Sequence, residues 1–465
     1  MRIEEEFTGA ELGDKRLASR LVTIATQFRA QPDASYPVAA GGDAALEATY
    51  RFLNNAAVTP EGILGPHLDA TCRRIREAGR VVVAHDTTEF AFRREGMGVL
   101  GEGRIGFLGH VALAVALDDG RAPLGVVGLE TLVRKGRRSG TPRARHALAD
   151  NEELRWLRTV EQVEQRIGKP RAVVHVMDRE AESYETFSRL IRADHRFVIR
   201  TYYNRATVPE GVTKVTRRAA ARMPKINDVL QRSPVLLTFE VPVSARKPVF
   251  HTNKPKPTRE ARVARVECVA CTVDIVRPTW TRIDGPPSLR VNVVRIREPN
   301  PPEGCDPIDW QLTTTEPVET ATQLEQVIEA YRARWVIEEY FRALKQGCAY
   351  ERRQLENMRA IVNALAVFVP IAWQLLALRN AARVDPGRPA AKVLDHLKLE
   401  LLRRHPKLKL TARPTAREAM LAIAQLGGHI PNNGEPGWIV LGRGYERLLI
   451  LEEGALIALG RCDQS

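Results

Sequence analysis

Cysteine is scarce in this sequence. Six cysteines in 465 residues are too few for a fold held together by disulfides. The one closely spaced pair, Cys268 and Cys271, has no second pair at a zinc-ribbon spacing, so we expect no structural zinc site. The first residues, MRIEEEFTGA, lack the basic and apolar parts of a signal peptide. We therefore expect a cytoplasmic protein with reduced thiols.

Long apolar runs are scarce as well. The longest uncharged run, residues 360–378, contains Asn363, Pro370 and Gln374 and barely reaches the length of a membrane span. This run predicts a buried core helix, and no membrane partner is expected. The sequence also lacks internal repeats and low-complexity tracts.

Acidic residues are outnumbered by basic ones. The chain has 70 Lys and Arg against 56 Asp and Glu, which gives a formal charge of +14 at pH 7. Clustered cations release counterions from a phosphate backbone, so such an excess favours a polyanionic partner such as nucleic acid. The alternative is that the positive charge lies on the surface and only keeps the protein soluble. At about 100–200 residues per domain, the length predicts two to four domains.

The first part of the chain predicts helices followed by an α/β region. Residues 1–75 carry helical patterns with scattered arginines, of which Arg20 and Arg51 are candidates for DNA contact, although such arginines usually just face solvent. Next come an apolar strand ending near Asp86 and a hairpin around Asp119 and Gly120. Helix, strand, helix and strand follow up to residue 204. This order predicts a mixed sheet with helices on its faces.

The second part alternates β and α character. Residues 205–307 contain short alternating runs broken by Pro- and Lys-rich turns, and predict a β-rich insertion. A long helix is predicted over about 322–346, and the chain after residue 356 is mostly helical.

Two acids follow apolar strands. Asp86 and Asp178 are each predicted at the carboxyl end of a strand, where open α/β sheets bind ligands. Two carboxylates brought together there imply a shared proton or a divalent cation. Oxygen-only ligands favour Mg²⁺ or Mn²⁺. Taken singly, each acid has a simpler interpretation as a turn or helix cap.

The long helix carries a stripe of charged residues. At about 100° per residue, Tyr331, Arg334, Glu338 and Lys345 fall on one narrow face, and Arg342 joins it. A solvated charged face is the alternative that helical spacing alone leaves open.

Phosphodiester chemistry gives every one of these residue types a role. Asp86, Asp178 and Glu338 could hold two metal ions that activate a water or a 3′-hydroxyl and stabilise the leaving oxygen. The bases of the stripe would hold the flanking phosphates, and Arg can do so bidentately. Tyr331 could bind a phosphate through its hydroxyl or support the helix.

These motifs resemble those of a known family. DTT after one strand, DREA after a second, and the spacing Y-(2)-R-(3)-E-(6)-K on a helix look like the signature of the DDE transposases of the insertion sequence 4 family, the YREK group. The segments LGDKRLASRL and ATYRFLNN resemble its DNA-binding region, and LAIAQLGG and PGWIVLGRGYERL resemble its terminal region. The resemblance therefore covers nearly the whole chain.

The resemblance implies a fold and an activity. It implies a helical DNA-binding domain (1–75), a ribonuclease-H-like α/β core (76–204 and 308–357), a β-rich insertion domain (205–307) and a helical C-terminal region (358–465) for dimerisation and DNA contact. It also implies cut-and-paste movement of DNA with inverted terminal repeats, through nicking, hairpin formation, hairpin opening and strand transfer into target DNA. A homodimer would hold two ends, and the three acids would bind two Mg²⁺ or Mn²⁺ ions per active site, as the two-metal chemistry of such displacements requires.

Further residues take roles from the same resemblance. Trp310, in IDWQLTTTEPVE, matches the tryptophan that stacks on a base flipped out of the duplex, while a core tryptophan is the alternative. The basic loop that includes Arg137 and Arg138 is expected to contact the DNA backbone, although an exposed loop would look the same. Gly442 and Tyr445 stand where relatives often carry tryptophans, which departs from the family pattern.

Two other functions compete with this one. A metal-dependent, structure-specific endonuclease of the same fold would cleave DNA without joining it. A domesticated DNA-binding protein would have lost catalysis, and the intact acids, Arg and Lys of the signature speak against it. The β-rich insertion and Trp310 favour the transposase over the simple nuclease, because hydrolysis alone does not need them.

Overall fold

The computed structural model describes residues 3–32, 34–92, 99–101, 104–133, 154–168, 171–212, 220–243, 245, 259–278, 285–352, 355, 357–430 and 434–458. The chain forms two compact units: unit 1 is Met1–Gly168 with Trp335–Ser465, and unit 2 is Lys169–Arg334.

The strands are numbered in chain order. They are β1 (Val81–Phe92), β2 (Val99–Gly101), β3 (Arg104–Ala116), β4 (Ala122–Leu132), β5 (Val173–Met177), β6 (Arg196–Thr201), β7 (Val235–Val243), β8 (Arg262–Val276), β9 (Ser288–Arg297) and β10 (Asp309–Thr314).

The helices are numbered in the same way. They are α1 (Lys15–Ala30), α2 (Tyr36–Ala40), α3 (Asp43–Asn54), α4 (Pro60–Glu77), α5 (Leu154–Ile167), α6 (Tyr184–Arg192), α7 (Ile226–Arg232), α8 (Ala321–Ala333), α9 (Trp335–Arg342), α10 (Met358–Val384), α11 (His396–Arg404), α12 (Ala416–Leu426) and α13 (Trp438–Ala458).

Unit 1 contains an antiparallel sheet. Strand β3 pairs with β1, β2 and β4. The pairing of β3 with β4 confirms the hairpin predicted around Asp119 and Gly120, and Gly120 adopts the positive φ of 56° that the turn requires. The prediction that β1 ends near Asp86 is wrong. The strand continues to Phe92, because the Thr- and Phe-containing segment after Asp86 also pairs with β3.

The helix α10 lies in the core of unit 1. Within the described part of the chain, it is the one helix long and apolar enough to cross a membrane by length and composition, and 89% of its most apolar window is buried. It packs against α4 and β4, and Trp373 Nε1 donates to the carbonyl oxygen of Pro123 at 2.8 Å. The structure thus confirms the prediction of a buried core helix over 360–378.

Unit 2 contains a mixed sheet. Strands β5 and β6 are parallel, β10 runs antiparallel to β6, and β9, β8 and β7 follow in antiparallel order. The strands of the predicted β-rich insertion therefore extend the same sheet as β6 and β10. The strands and helices together give the mixed α/β class that the sequence predicts.

The predicted long helix over 322–346 is interrupted. A capping box between Thr320 and Gln323 begins α8. The regular hydrogen bonding breaks at Arg334, although its φ of −54° and ψ of −33° remain right-handed. After α9, residues Ala343–Gly347 form a π-helix. Because a π-turn is wider than an α-turn, the regular 100° spacing does not extend unchanged to Lys345.

Candidate active site

Asp86 lies in the middle of β1, where the strand changes from buried to half-buried residues. Successive side chains of a strand point to opposite faces, so Asp86 shares a face with Phe90. The ring of Phe90 lies 5.1 Å from that of Tyr350 and 5.3 Å from Lys345 Nζ. Asp86 is therefore on the face of β1 that the 335–352 segment covers.

The opposite face of β1 carries a buried polar network. Thr87 N–H donates to Asp86 Oδ1 at 2.8 Å, and Arg155 Nε donates to Thr87 Oγ1 at 2.8 Å. Thr87 Oγ1 also lies 2.9 Å from Nδ1 of His110, which is directly opposite in the β1–β3 register. Since the Thr87 oxygen accepts from Arg155, its own O–H donates to His110, whose proton is then on Nε2.

His110 is held neutral in this network. Burial lowers the pKa of His110 well below its usual value, and the charges of Arg155 and Arg158 lower it further. Its ring packs edge-on against Trp156 with a centroid distance of 4.5 Å. Sequence reasoning missed this network. Its signal is a histidine in the otherwise apolar run GHVALAV, which the hairpin register sets opposite DTT.

Glu338 lies half-buried in the first turn of α9, and α9 packs against β1. Within unit 1, the helix that bears Glu338 therefore packs against the strand that bears Asp86. Lys345, in the π-helix, donates to the carbonyl oxygen of Glu89 on β1 and lies 3.5 Å from the carboxylate of Glu351. Its ammonium group is thus fixed near the same strand.

Arg342 has a different environment. Its side chain is exposed and pairs with Glu339 at 2.6 Å. Glu339 also accepts a hydrogen bond from Trp438 Nε1 at 3.2 Å. Arg342 therefore remains accessible to a phosphate, but it would have to share its guanidinium with Glu339.

Asp178 lies in unit 2, immediately after β5, as the sequence predicts. Its Oδ1 accepts a hydrogen bond from Glu180 N–H at 2.9 Å and so caps the short helix Arg179–Ala181. Asp178 is half-buried, so capping does not exclude a second role for its carboxylate. Parallel pairing aligns Met177 with Ile199, which brings the next residues, Asp178 and Arg200, to the same edge.

Trp310 forms an aromatic cluster in unit 2. It is half-buried on β10, its ring meets that of Tyr331 edge-on at 6.2 Å, and Arg200 Cζ lies 5.9 Å from its ring centroid. Tyr331 and Arg334 are both buried, with 3% and 7% of their surface exposed. Tyr331 thus supports the ring of Trp310, a role that the sequence did not predict for it.

Two of the remaining predicted DNA-binding residues lie on helices of unit 1. Arg20 is exposed on α1, and Arg51 is exposed on α3, where it pairs with Glu47 one turn earlier. Arg137 and Arg138 lie outside the described residues. Arg20 and Arg51 therefore add no contact to the residues described above.

The acids fit a divalent metal by chemistry rather than by a preformed cage. Among the residues that the structure describes, no group of three His, Cys, Asp or Glu side chains is close enough to hold a metal ion. Asp86, Glu338 and Asp178 are nonetheless half-buried carboxylates, and carboxylate oxygens are the ligands that Mg²⁺ and Mn²⁺ prefer.

Comparison with known proteins gives two domain matches. Residues 2–58 match the family model of a transposase DNA-binding domain, and residues 143–369 match that of a transposase DDE domain. Among solved structures, the chain is similar to the piggyBac transposase in a synaptic complex with hairpin DNA, at 11% identity and a TM-score of 0.29. The alignment covers 73% of this chain and only 55% of that one, a likeness too distant to support an argument.

Proposed function

We propose, from the premise that this chain is a DDE transposase, that it cuts and pastes DNA in the manner of the insertion sequence 4 family. The observation that carries the proposal is the packing of α9, which bears Glu338, against β1, which bears Asp86, with Lys345 fixed to the same strand. Asp178, after β5, completes the acids. A ribonuclease-H-like core is the fold that this strand order supports.

The three acids would hold the metal. Asp86, Asp178 and Glu338 are the proposed ligands of two divalent ions, Mg²⁺ or Mn²⁺. When bound, such ions supply an activated hydroxyl nucleophile and compensate the charge on the leaving oxygen of a phosphodiester. Thr87, held by Arg155 and His110, fixes the orientation of Asp86 through its backbone N–H.

Basic side chains would position the DNA backbone. Lys345 and the exposed Arg342 offer their cationic groups to phosphates on either side of the cut. Arg334 is buried at the end of α8, so its proposed phosphate contact requires that DNA binding uncover its guanidinium. Trp310, supported by Tyr331 and flanked by Arg200, presents an aromatic face for a base flipped out during hairpin formation. Arg20 and Arg51 belong to the matched DNA-binding region, and the basic loop with Arg137 and Arg138 is proposed as a backbone contact.

The proposed partners follow from this chemistry. The substrates are the inverted terminal repeats and a target duplex, and a homodimer would hold two ends together. We propose that the protein acts in the cytoplasm, at the nucleoid.

A metal-dependent cleavage assay tests the acids. The substrate is a duplex made from the short inverted repeats that flank the coding sequence. We expect Asp86→Asn, Asp178→Asn and Glu338→Gln each to lower cleavage roughly a thousandfold, the equivalent of about 4 kcal/mol of lost metal-assisted catalysis, with duplex binding retained. Glu325→Gln, at an exposed position on α8, is the matched control. Full cleavage by any of the three acid variants would remove that acid from the site.

A second assay separates the transposase from a nuclease. The wild-type products are followed for a hairpin on the excised end and for joining to target DNA. Trp310→Ala should slow hairpin formation more than first-strand nicking, and Trp310→Phe should restore much of the rate because it keeps an aromatic face. Cleavage without any hairpin or joined product would instead favour the structure-specific endonuclease.

A further inference from the structure

Two exposed tyrosines stand at the end of β6 in unit 2. Tyr202 and Tyr203 are 72% and 60% exposed, and Tyr202 is the most exposed large hydrophobic side chain of the described residues. Most other described tyrosines are buried, for example Tyr184, Tyr340 and Tyr350. Packing of the core therefore does not explain why aromatic rings stand here.

The backbone that carries these rings is held firmly. The buried carboxylate of Glu182 accepts hydrogen bonds from the N–H groups of both Tyr202 and Tyr203, with a distance of 3.2 Å to Tyr203. Arg205 donates to the same carboxylate at 3.3 Å. An aromatic pair in this setting loses little conformational entropy when it binds a ligand.

Each ring has an arginine beside it. Arg179 Cζ lies 5.5 Å from the ring centroid of Tyr202, and Arg205 Cζ lies 5.4 Å from that of Tyr203. Aromatic faces combined with cations are the usual composition of sites for single-stranded nucleic acid, since every base has a π-face and every nucleotide a phosphate.

The angle between the Tyr202 and Tyr203 rings favours an unpaired nucleic-acid strand. The two rings are 6.1 Å apart at an angle of 75°. Two faces at that angle cannot both continue one regular base stack, so they suit nucleotides whose bases are turned away from each other. An unpaired, splayed strand fits this arrangement better than a duplex does.

The pair lies next to one of the proposed catalytic acids. Strands β5 and β6 are parallel and end at the same edge, and Arg179 directly follows Asp178. In the β6–β10 register Thr201 pairs with Gln311, and Tyr202 and Trp310 are the next residues of the two chain segments on the same side of that pair. A base on these tyrosines would therefore belong to a nucleotide close to the cut.

We propose that Tyr202 and Tyr203 form a stacking site for unpaired DNA bases beside the cleaved phosphate, an extension of the aromatic surface that begins at Trp310. This inference rests on the proposed function, since it takes DNA as the substrate. The site receives bases freed when the duplex end opens, and the exposed Arg179 holds an accompanying phosphate, while Arg205 stays paired with Glu182.

Equilibrium binding of two probes to the full chain tests this site. One probe is a short single-stranded oligothymidine that carries a single 2-aminopurine, whose emission falls on stacking; the other is the terminal-repeat duplex. For Tyr202→Ala with Tyr203→Ala, we expect single-strand affinity to fall about tenfold for each ring lost, and the quenching of 2-aminopurine to disappear. Duplex affinity and the salt dependence should stay unchanged, because no charge is removed.

Two control variants define the result. Tyr202→Phe with Tyr203→Phe keeps the rings and should bind like the wild type. Val263→Ala changes another highly exposed apolar side chain of unit 2 and should have no effect. A thermal unfolding midpoint equal to that of the wild type shows that the alanine variant is folded.

The outcomes separate the two proposals. Unchanged single-strand affinity and quenching in the alanine variant, in a protein that still binds and cuts the duplex, would overturn the stacking site alone. An equal loss of single-strand and duplex affinity would also overturn it. A wild-type chain that binds neither probe would overturn the proposed function together with the site.

Discussion

A buried charge cluster in unit 1 gives a sharp prediction about acid stability. Glu6 lies in the short helix Glu4–Glu6, and its side chain is 4% exposed. Its carboxylate accepts from His67 Nδ1 at 2.5 Å and from Arg74 Nη1 at 2.8 Å. Val126 N–H donates to the other ring nitrogen of His67 at 3.1 Å, which fixes the imidazole as neutral with its proton on Nδ1.

The pKa values of this cluster set the pH range. Burial alone would raise the pKa of Glu6, but the hydrogen bonds from His67 and Arg74 and the charge of Arg74 outweigh it and lower the pKa from 4.5 to about 2. At about 1.4 kcal/mol per pH unit, this depression stabilises the folded state by about 3 kcal/mol at neutral pH. The pKa of His67 is lowered too, chiefly by burial.

The sign of the pH dependence follows from these directions. The contribution of Glu6 is complete above pH 4.5 and is lost as the pH falls toward its folded pKa of about 2. Between about pH 5 and about pH 3, roughly 2 kcal/mol should be lost from this group alone. His67 acts in the same direction below 6.5, because its neutral folded form must gain a proton on unfolding.

The perturbation is Glu6→Gln, with Glu5→Gln as the control at an exposed neighbouring position. At neutral pH we expect the free energy of unfolding to fall by about 3–5 kcal/mol, the usual cost of removing one member of a buried ion pair. The loss of stability between about pH 5 and about pH 3 should also shrink by roughly 2 kcal/mol. Urea unfolding followed by circular dichroism at a series of pH values measures both quantities. If Glu6→Gln kept the full wild-type acid slope, or cost no more than Glu5→Gln, the cluster would not carry the stability assigned to it.

Two further predictions concern the hydroxyl of Thr87 and the buried ion pairs of Lys398. Thr87→Val removes the oxygen that joins Arg155 to His110, and we expect it to lower the cleavage rate about tenfold with DNA affinity unchanged. Thr87→Ser keeps the hydroxyl and should restore the rate. Equal activity of the wild type and both variants would show that the hydroxyl does not help to orient Asp86. The Lys398 side chain is 3% exposed and pairs with Asp395 and Glu452. Lys398→Met should lower the free energy of unfolding by about 3–5 kcal/mol, because two carboxylates lose their cation. Urea unfolding checks this, and a cost below that of the exposed Lys407→Met would contradict it.

Much of the fold was accessible from sequence where a local signal was strong. The Asp119–Gly120 turn, the apolar core helix and the acid after β5 each depend on a few adjacent residues, and all three predictions are confirmed. The length of β1 was not accessible in this way. Its second half has mixed polarity, and only pairing along β3 keeps it extended past Asp86.

In the candidate site, too, local sequence signals predict some features and long-range contacts determine the others. The residue types and spacing predict which side chains carry chemistry, but they do not predict which neighbours hold those side chains in place. The link from Asp86 through Thr87 to His110 and Arg155 depends on strand register and on a helix far along the chain. The break at Arg334 and the π-helix after α9 also escape a regular helical spacing, because both are deviations from it. The backbone N–H groups of Tyr202 and Tyr203 are held by the carboxylate of Glu182, a contact that no sequence pattern predicts.

The strands β7, β8 and β9 have a consequence for how this chain can be shortened or recombined. Because β9 hydrogen-bonds along the whole of β10, deleting residues 205–307 would not remove a detachable module. It would leave the strand that bears Trp310 with a bare row of N–H and C=O groups, which is a template for aggregation. A shorter natural or engineered version of this chain would therefore need another strand, a helix or a partner chain to cover that edge.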